Sequence, residues 1–155
     1  MKQLSILITL LISLGFSSAC WGKFHKSLKV PNYKNIQVLV EDLYDNSVGI
    51  TRGKVETAVK LKLLRNGIKV TPLSNPYIYV VVNVVDVKVG GKTKGVAYNI
   101  SLGLCEMDFE KGDWYMPSQS SVGGIGLATS FEVFRTDLDN YLDQFILDYL
   151  ESNME

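Results

Sequence analysis

The segment from Tyr77 to Val89 constrains the fold of this 155-residue chain more than any other. It is dense in valine, isoleucine and tyrosine and contains neither glycine nor proline, which is typical of a β-strand. Alternate side chains of a strand point to opposite faces. One face of this strand is formed by Ile78, Val80, Val82 and Val84. The other face is also largely apolar, so we predict a long strand at the centre of a sheet.

Shorter patterns before this segment predict a strand, a helix and a second strand. Alternating apolar residues over 36–43 indicate the first strand. Thr51 can cap a helix that runs to about Asn66, and Gly67 suits the left-handed position that follows a helix. The apolar residues of this helix recur at a spacing of three and four, which predicts one buried stripe. Residues 68–71 indicate a short strand.

After the central strand, the chain predicts two further strands joined by hairpins and then a helix. The loop 90–95 contains three glycines, and strands follow over 96–109 and 114–122. Thr136 and Asp139 have the spacing of a capping box, which predicts the start of the last helix. Its apolar residues cover one broad face, with Phe145 near the centre.

The order of these elements is β-α-β-β-β-β-α, and both helices have one apolar side. Such helices can bury their apolar sides by packing on a sheet. We therefore predict an α+β fold, with a four- to five-stranded mixed, mostly antiparallel sheet and two helices packed on one face.

The first nineteen residues predict export. A positive start at Met1 and Lys2, an apolar run over 4–14 and small residues up to Ala19 are typical of a secretory signal peptide. The apolar run is shorter than the roughly 20 residues that a membrane-spanning helix needs. We expect three segments: a signal peptide (1–19), an N-terminal arm (20–35) and a single domain (36–152).

The sequence allows two alternatives for the mature protein, which is either free or anchored to the membrane by a lipid. A cut after Ala19 would place Cys20 first, the position that carries the lipid in a lipoprotein. A lipobox has leucine or a similar residue three positions before that cysteine, whereas this chain has Ser17, and a cut after Gly22 is also compatible. We expect a periplasmic or secreted protein, with lipid anchoring through Cys20 as the alternative.

Composition argues against a nucleic-acid partner and against a fold held together by disulfides. The formal net charge is +0, so there is no basic footprint for nucleic acid. Cys20 and Cys105 could form at most one bridge in an oxidising compartment, which is no disulfide framework. We expect Cys105 to be a lone, half-buried strand residue.

The residues that carry chemistry form no recognisable catalytic set. His25 is the single histidine and lies in the arm, so the domain has no spacing for a zinc site or a catalytic triad. Oxygen ligands cluster at Glu41, Asp42, Asp45 and Asn46, but their spacing matches no EF-hand loop. We predict no metal, no cofactor and no enzymatic activity.

Three glycines, Gly123, Gly124 and Gly126, lie close together near the end of the last predicted strand. No lysine–serine pair and no immediate helix follow them, so they do not form a phosphate-binding loop. We predict a bulged, loosened strand end. The alternative is a mobile lip over a groove.

Several phrases resemble a group of uncharacterised bacterial exported proteins, in which a helix ends in an LRxxGI phrase and a YxYVxVN-like strand follows. Here they read LRNGIKV at 64–70, PYIYVVVNV at 76–84, AYNISL at 97–102, VGGIG at 122–126 and LDQFILDYL at 142–150. The resemblance covers most of the domain but implies no activity. The element order is also loosely similar to small α+β domains of envelope assembly proteins, such as the N-terminal domain of the Tol-system propeller protein.

We therefore predict an exported, non-enzymatic cell-envelope protein that binds a partner through an open sheet face or edge. The partner would be an envelope protein or a small ligand. Aromatic and polar side chains mix on the sheet face opposite the helices, as they do on recognition surfaces. The candidate binding residues are Tyr77, Tyr79, Asn83, Asn99 and Ser101.

Two alternatives stay open. The first is a small periplasmic enzyme that uses a carboxylate pair, either Asp42 with Asp45 or Glu106 with Asp108. A pair with a raised pKa in a cleft would support it. The second alternative is a lipid-anchored envelope assembly factor.

Overall fold

The computed structural model describes residues 30, 33–108, 113–115 and 121–154. The predicted signal peptide, Cys20 and most of the arm lie outside the described residues. The elements in chain order are β1 (Asn35–Val40), α1 (Arg52–Arg65), β2 (Lys69–Val70), β3 (Tyr77–Val89), β4 (Lys92–Asp108), β5 (Asp113–Tyr115), β6 (Ser121–Ala128) and α2 (Phe131–Asn153).

The strands form one mixed sheet in the order β2-β1-β3-β4-β5, with β6 also paired to β4. The pairings of β1 with β2 and β3 are parallel, and those of β4 with β3, β5 and β6 are antiparallel. This arrangement confirms the predicted α+β class and the central position of the Tyr77–Val89 strand. The last predicted strand corresponds to two strands, β5 and β6, on the same side of β4.

Helix α1 follows the predicted boundaries closely. The hydroxyl of Thr51 accepts a hydrogen bond from the Lys54 N–H at 3.4 Å, and the helix ends at Arg65. Gly67 has a φ of 76°, a conformation that favours glycine. The predicted stripe is buried and consists of Val55, Ala58, Val59 and Leu63.

Helix α2 begins upstream of the predicted cap at Thr136. The Ser130 hydroxyl accepts a hydrogen bond from the Val133 N–H, so Ser130 is the N-cap. Phe134 is fully buried and meets the Tyr98 ring edge-on, with 5.1 Å between centroids. The prediction of a start at Thr136 was wrong because packing of Phe134 draws the upstream residues into the helix.

The core lies between the two helices and one face of the sheet. On β3 the buried face is formed by Ile78, Val80 and Val82, as predicted. On α2 the buried stripe includes Leu138, Leu142, Phe145, Ile146 and Tyr149. The Tyr149 hydroxyl also donates to the Tyr33 carbonyl at 2.8 Å, which joins the chain before β1 to α2.

Candidate binding surface of the sheet

The sheet face opposite the helices is organised in rows across β3, β4 and β6. Asn83 pairs with Asn99, which pairs with Ile125. In the next row, Val85 and Leu127 lie on either side of Ala97. Side chains of paired residues share a face, so both rows point away from the core.

Three of the side chains in these rows are large, apolar and uncovered. Val85 is 68% exposed, Ile125 82% and Leu127 71%. Ile125 and Leu127 are successive residues on the outward face of β6, and Val85 lies in the row of Leu127, two strands away on the far side of Ala97. We call Val85, Ala97, Ile125 and Leu127 the outer patch. A contiguous exposed apolar patch is typical of a site of interaction.

Two of the residues predicted from the sequence border the outer patch. Asn83 and Asn99 are exposed and occupy the row of Ile125. Ser101 lies one row further, is half-buried and pairs with Gly123. Amides beside apolar side chains give this end of the sheet the mixed character of a recognition surface.

Tyr77 is not available on this surface. Its side chain is only 6% exposed, and it pairs with Cys105, which is 1% exposed. Burial, with a contribution from the Cys105 side chain, raises the pKa of Tyr77 to about 12. The expected exposure of Tyr77 was wrong, because the end of β3 beside Cys105 is covered on both faces. Cys105 is a free thiol and is more deeply buried than predicted.

Tyr79 is half-buried, and its hydroxyl donates a hydrogen bond to the Glu41 carboxylate. That bond, followed by burial, raises the pKa of Tyr79 to about 12. The side chain lies two rows from Asn83 along β3, away from the outer patch. Tyr79 therefore joins the end of β1 to β3 and is not at the centre of the exposed apolar surface.

The glycines of β6 lie within the strand and do not loosen its end, contrary to the prediction. Gly124 and Gly126 face the helices, where an added Cβ would lie 2.2 Å from the Tyr141 hydroxyl and 2.2 Å from the Tyr98 hydroxyl. An added Cβ would therefore displace these two aromatic side chains, and glycine lets them cover the strand. The Tyr98 hydroxyl in turn donates to the Asp137 carboxylate.

The sequence did not reveal Ile125 and Leu127 as surface residues, although a signal was present. They alternate with glycines on β6, which has the sequence SVGGIGLA. This sequence does not predict a strand, because glycine has a low propensity for β-structure. The sequence signal was the apolar residue at every second position, Ile125 and Leu127, whereas the cover of the intervening glycines by tyrosines is visible only in the structure.

Strand β6 also has an open edge. It pairs with β4 on one side, and no strand in the described ranges pairs with its other side. The strand contains no charged residue and no proline. Charged residues and prolines are common devices that prevent unwanted strand pairing, so this edge is chemically suited to accept a partner.

The predicted pair of Asp42 and Asp45 does not form a buried site. Asp42 is exposed and its carboxylate accepts a hydrogen bond from the Arg52 guanidinium at 2.9 Å, and Asp45 is also exposed. Glu106 is half-buried, and the side chain of Asp108 lies outside the described residues.

The oxygen-rich segment after β1 has a structural role in the described part of the chain. The Asn46 carboxamide accepts from the Ile50 N–H at 3.0 Å and donates to the Ile50 carbonyl at 2.8 Å. These bonds close the loop that leads to α1. No group of three or more metal-ligating side chains occurs among the described residues.

The described helices include none that is long and apolar enough to cross a membrane. No family model matches the chain, and no curated protein matches it. Among solved structures, the chain is similar to a minor lipoprotein from Acinetobacter baumannii, with 14% identity and a TM-score of 0.42 over 77% of this chain and 93% of that chain.

Two further solved structures show comparable similarity. One is a PelC dodecamer from Paraburkholderia phytofirmans, with 15% identity and a TM-score of 0.42 over 81% of this chain and 92% of that chain. The other is a Helicobacter pylori homolog of a neuraminyllactose-binding hemagglutinin, with 10% identity and a TM-score of 0.36 over 80% of this chain and 87% of that chain. These similarities are too distant to carry an argument about function.

Proposed function

We propose that this chain is an exported, non-enzymatic protein of the cell envelope that binds a partner through the outward face of its sheet. Export rests on the order of charged, apolar and small residues over 1–19. The alternative is that the exported protein is anchored to the membrane by a lipid on Cys20. The partner is an envelope protein with an apolar surface bordered by polar groups.

The outer patch is the observation that carries this proposal. Val85, Ile125 and Leu127 occupy two neighbouring rows on one face of the sheet, and each is exposed among the described residues. Isolated exposed apolar residues are ordinary in soluble proteins, but neighbours on one rigid sheet are not. Asn83 and Asn99 supply the polar border that interfaces have around an apolar centre.

A carboxylate-based periplasmic enzyme remains the rival function, with weaker support. Asp42 already forms an ion pair with Arg52, and both side chains lie in solvent. A general acid needs a raised pKa in a cleft, and burial is the usual cause of such a rise. The Asp42 side chain is 89% exposed and is therefore not enclosed by the protein.

Mass spectrometry of the mature protein tests the proposed export by identifying its N-terminal residue. We expect an N-terminus between Cys20 and Lys23 when the protein is recovered from its producing cell. A diacylglycerol mass on Cys20 would establish the lipid-anchored form. A cytoplasmic protein that retains Met1 would contradict the proposed address.

The outer patch is tested by the double variant Ile125→Asp/Leu127→Asp. Both side chains are exposed, so the variant should keep its melting temperature within a few degrees. Its recovery with envelope partners should fall at least tenfold, because a carboxylate must lose water to enter an apolar interface. Quantitative co-purification after mild cross-linking measures this loss.

The matched control is Leu147→Asp, which makes the same chemical change at a 53% exposed residue of α2. The control should retain partner recovery. Equal losses in both variants would show that added negative charge is responsible. Full recovery of partners by the double variant would exclude the outer patch as the binding surface.

A further inference from the structure

We infer that the tip of the β3–β4 hairpin is a docking site for an anionic lipid surface, which it meets through exposed lysines and an exposed valine. We call residues 87–94 the hairpin tip; they comprise the end of β3, the turn Gly90–Gly91 and the start of β4. The tip lies outside the outer patch and shares with the proposed function only the location in the envelope. Its partner is defined by chemistry, as a layer of phosphate headgroups over an apolar interior.

The hairpin tip extends beyond the rest of the sheet. Strand β1 pairs with β3 only as far as Val80, and β6 pairs with β4 only as far as Val96. The pairing between β3 and β4 continues to Val89 and Lys92. Among the described residues the tip is therefore a two-stranded ribbon with no neighbouring strand on either side, and all of its residues after Val87 are exposed.

All the charged side chains of the hairpin tip are positive. They are Lys88, Lys92 and Lys94, and none of them forms an ion pair within the part of the chain that the structure describes. The preceding carboxylate, Asp86, accepts a hydrogen bond from the Ser47 N–H at 3.0 Å. Hydrogen bonds from Ser47, with a smaller contribution from Lys88, lower the pKa of Asp86. Asp86 thus holds the loop before α1, and the three ammonium groups remain available to an anionic surface.

An apolar side chain accompanies the lysines at the end of the ribbon. Val89 is 61% exposed and pairs with Lys92, so the two side chains share one face of the ribbon. Segments that lie at a membrane surface combine the same two residue types. The apolar side chain enters the boundary of the acyl chains, while the lysine extends its ammonium group to the phosphates.

The turn between the two strands keeps the end of the ribbon narrow. Gly90 and Gly91 have φ values of 58° and 75°, the positive values that a two-residue hairpin turn of type I′ requires. An added Cβ at either glycine would meet no atom within 4 Å, so open space surrounds the turn. A layer of lipid headgroups can deform around such a convex end, whereas a folded acidic protein would need a matching concave surface. The shape and the charge of the tip together favour the lipid surface.

Co-sedimentation with lipid vesicles tests this site on the full mature protein, with Cys20→Ser so that no attached lipid contributes. Vesicles of phosphatidylcholine that contain phosphatidylglycerol should bind the protein at low salt at least about tenfold more tightly than vesicles of pure phosphatidylcholine. The bound fraction should fall as sodium chloride is added, because salt screens the lysines. Equal binding to the two kinds of vesicle would overturn the inference.

The triple variant Lys88→Gln/Lys92→Gln/Lys94→Gln assigns the binding to the hairpin tip. The three side chains are exposed, so the variant should keep its melting temperature within a few degrees. Its affinity for the phosphatidylglycerol vesicles should fall at least about tenfold. Val89→Gln leaves the charge unchanged and should weaken binding at least about threefold, because an amide replaces the apolar contact. Unchanged binding by the triple variant would overturn the inference.

The matched control is Lys34→Gln/Arg65→Gln/Lys69→Gln. It removes the same charge at three exposed residues beside the start of β1, far from the hairpin tip along the strands. The control should lose much less affinity than the triple variant of the tip. Equal losses in the two triple variants would show that net charge is responsible, and would overturn the assignment to the tip.

Two further measurements separate this site from other partners. Binding of soluble polyglutamate without binding of either kind of vesicle would assign the tip to an acidic protein and overturn the inference. Ile125→Ser/Leu127→Ser on the outer patch should bind the phosphatidylglycerol vesicles as the wild type does. Failure of vesicle binding is therefore distinct from failure of partner recovery through the outer patch.

Discussion

Replacing Val82 with aspartate should unfold the domain. Val82 is 5% exposed and lies on the core face of β3, between Val80 and Val84 along the strand. A carboxylate there would be buried without a partner, at a cost of several kcal/mol or with a strongly raised pKa. Domains of this size are stable by only about 5–15 kcal/mol. Circular dichroism should show loss of the cooperative thermal transition.

The adjacent variant Asn83→Asp is the control for this prediction. Asn83 is exposed on the opposite face of the same strand, so the substitution should change the free energy of unfolding by less than about 0.5 kcal/mol. A folded Val82→Asp with an unchanged melting temperature would mean that the two faces of the sheet have been exchanged.

Truncation of Phe145 to alanine should cost about 3–5 kcal/mol of unfolding free energy. Phe145 is fully buried at the centre of the α2 stripe and stacks on Tyr149, with 6.0 Å between ring centroids. The loss combines the transfer of the ring to water with the cavity left behind. Urea denaturation followed by tyrosine fluorescence or circular dichroism measures it.

Leu147→Ala on the same helix provides the comparison, because Leu147 is 53% exposed. It should cost less than about 1 kcal/mol. A cost below about 1 kcal/mol for Phe145→Ala as well would indicate that the apolar stripe of α2 is a docking surface and is not part of the core.

Elements with a clear period and a local end signal could be predicted from the sequence. The alternation over Tyr77–Val89 placed Val80 and Val82 in the core, and the boundaries of β3 agree with the prediction. The start of α1 was predictable because Thr51 acts through a bond to its own helix. Both signals depend on residues close in the chain.

Features that depend on distant contacts could not be predicted in this way. Helix α2 starts at Phe131 because Phe134 packs on Tyr98 of β4, and no local rule favours Ser130 over Thr136 as the cap. The prediction of a loosened strand end at the glycines of β6 was wrong for a related reason. Gly124 and Gly126 leave room for the rings of Tyr141 and Tyr98, which come from other elements.

The candidate site was predicted only in part. Asn83 and Asn99 were correctly placed on the outward face, since strand alternation fixes their side. Burial of Tyr77 depends on its pairing with Cys105 and on cover that no periodicity reports. The exposed Ile125 and Leu127 were missed because register with β4, which aligns them with Asn99 and Ala97, is a tertiary property.

Site-specific photo-crosslinking in the intact producing cell tests the central claim most directly. A photoreactive phenylalanine analogue would replace Ile125 on the outer patch or, as the control, Leu147 on α2. The proposed function predicts a defined adduct with an envelope protein from position 125 and none from position 147. Adducts from position 147 alone would contradict the claim that the outward sheet face binds the partner.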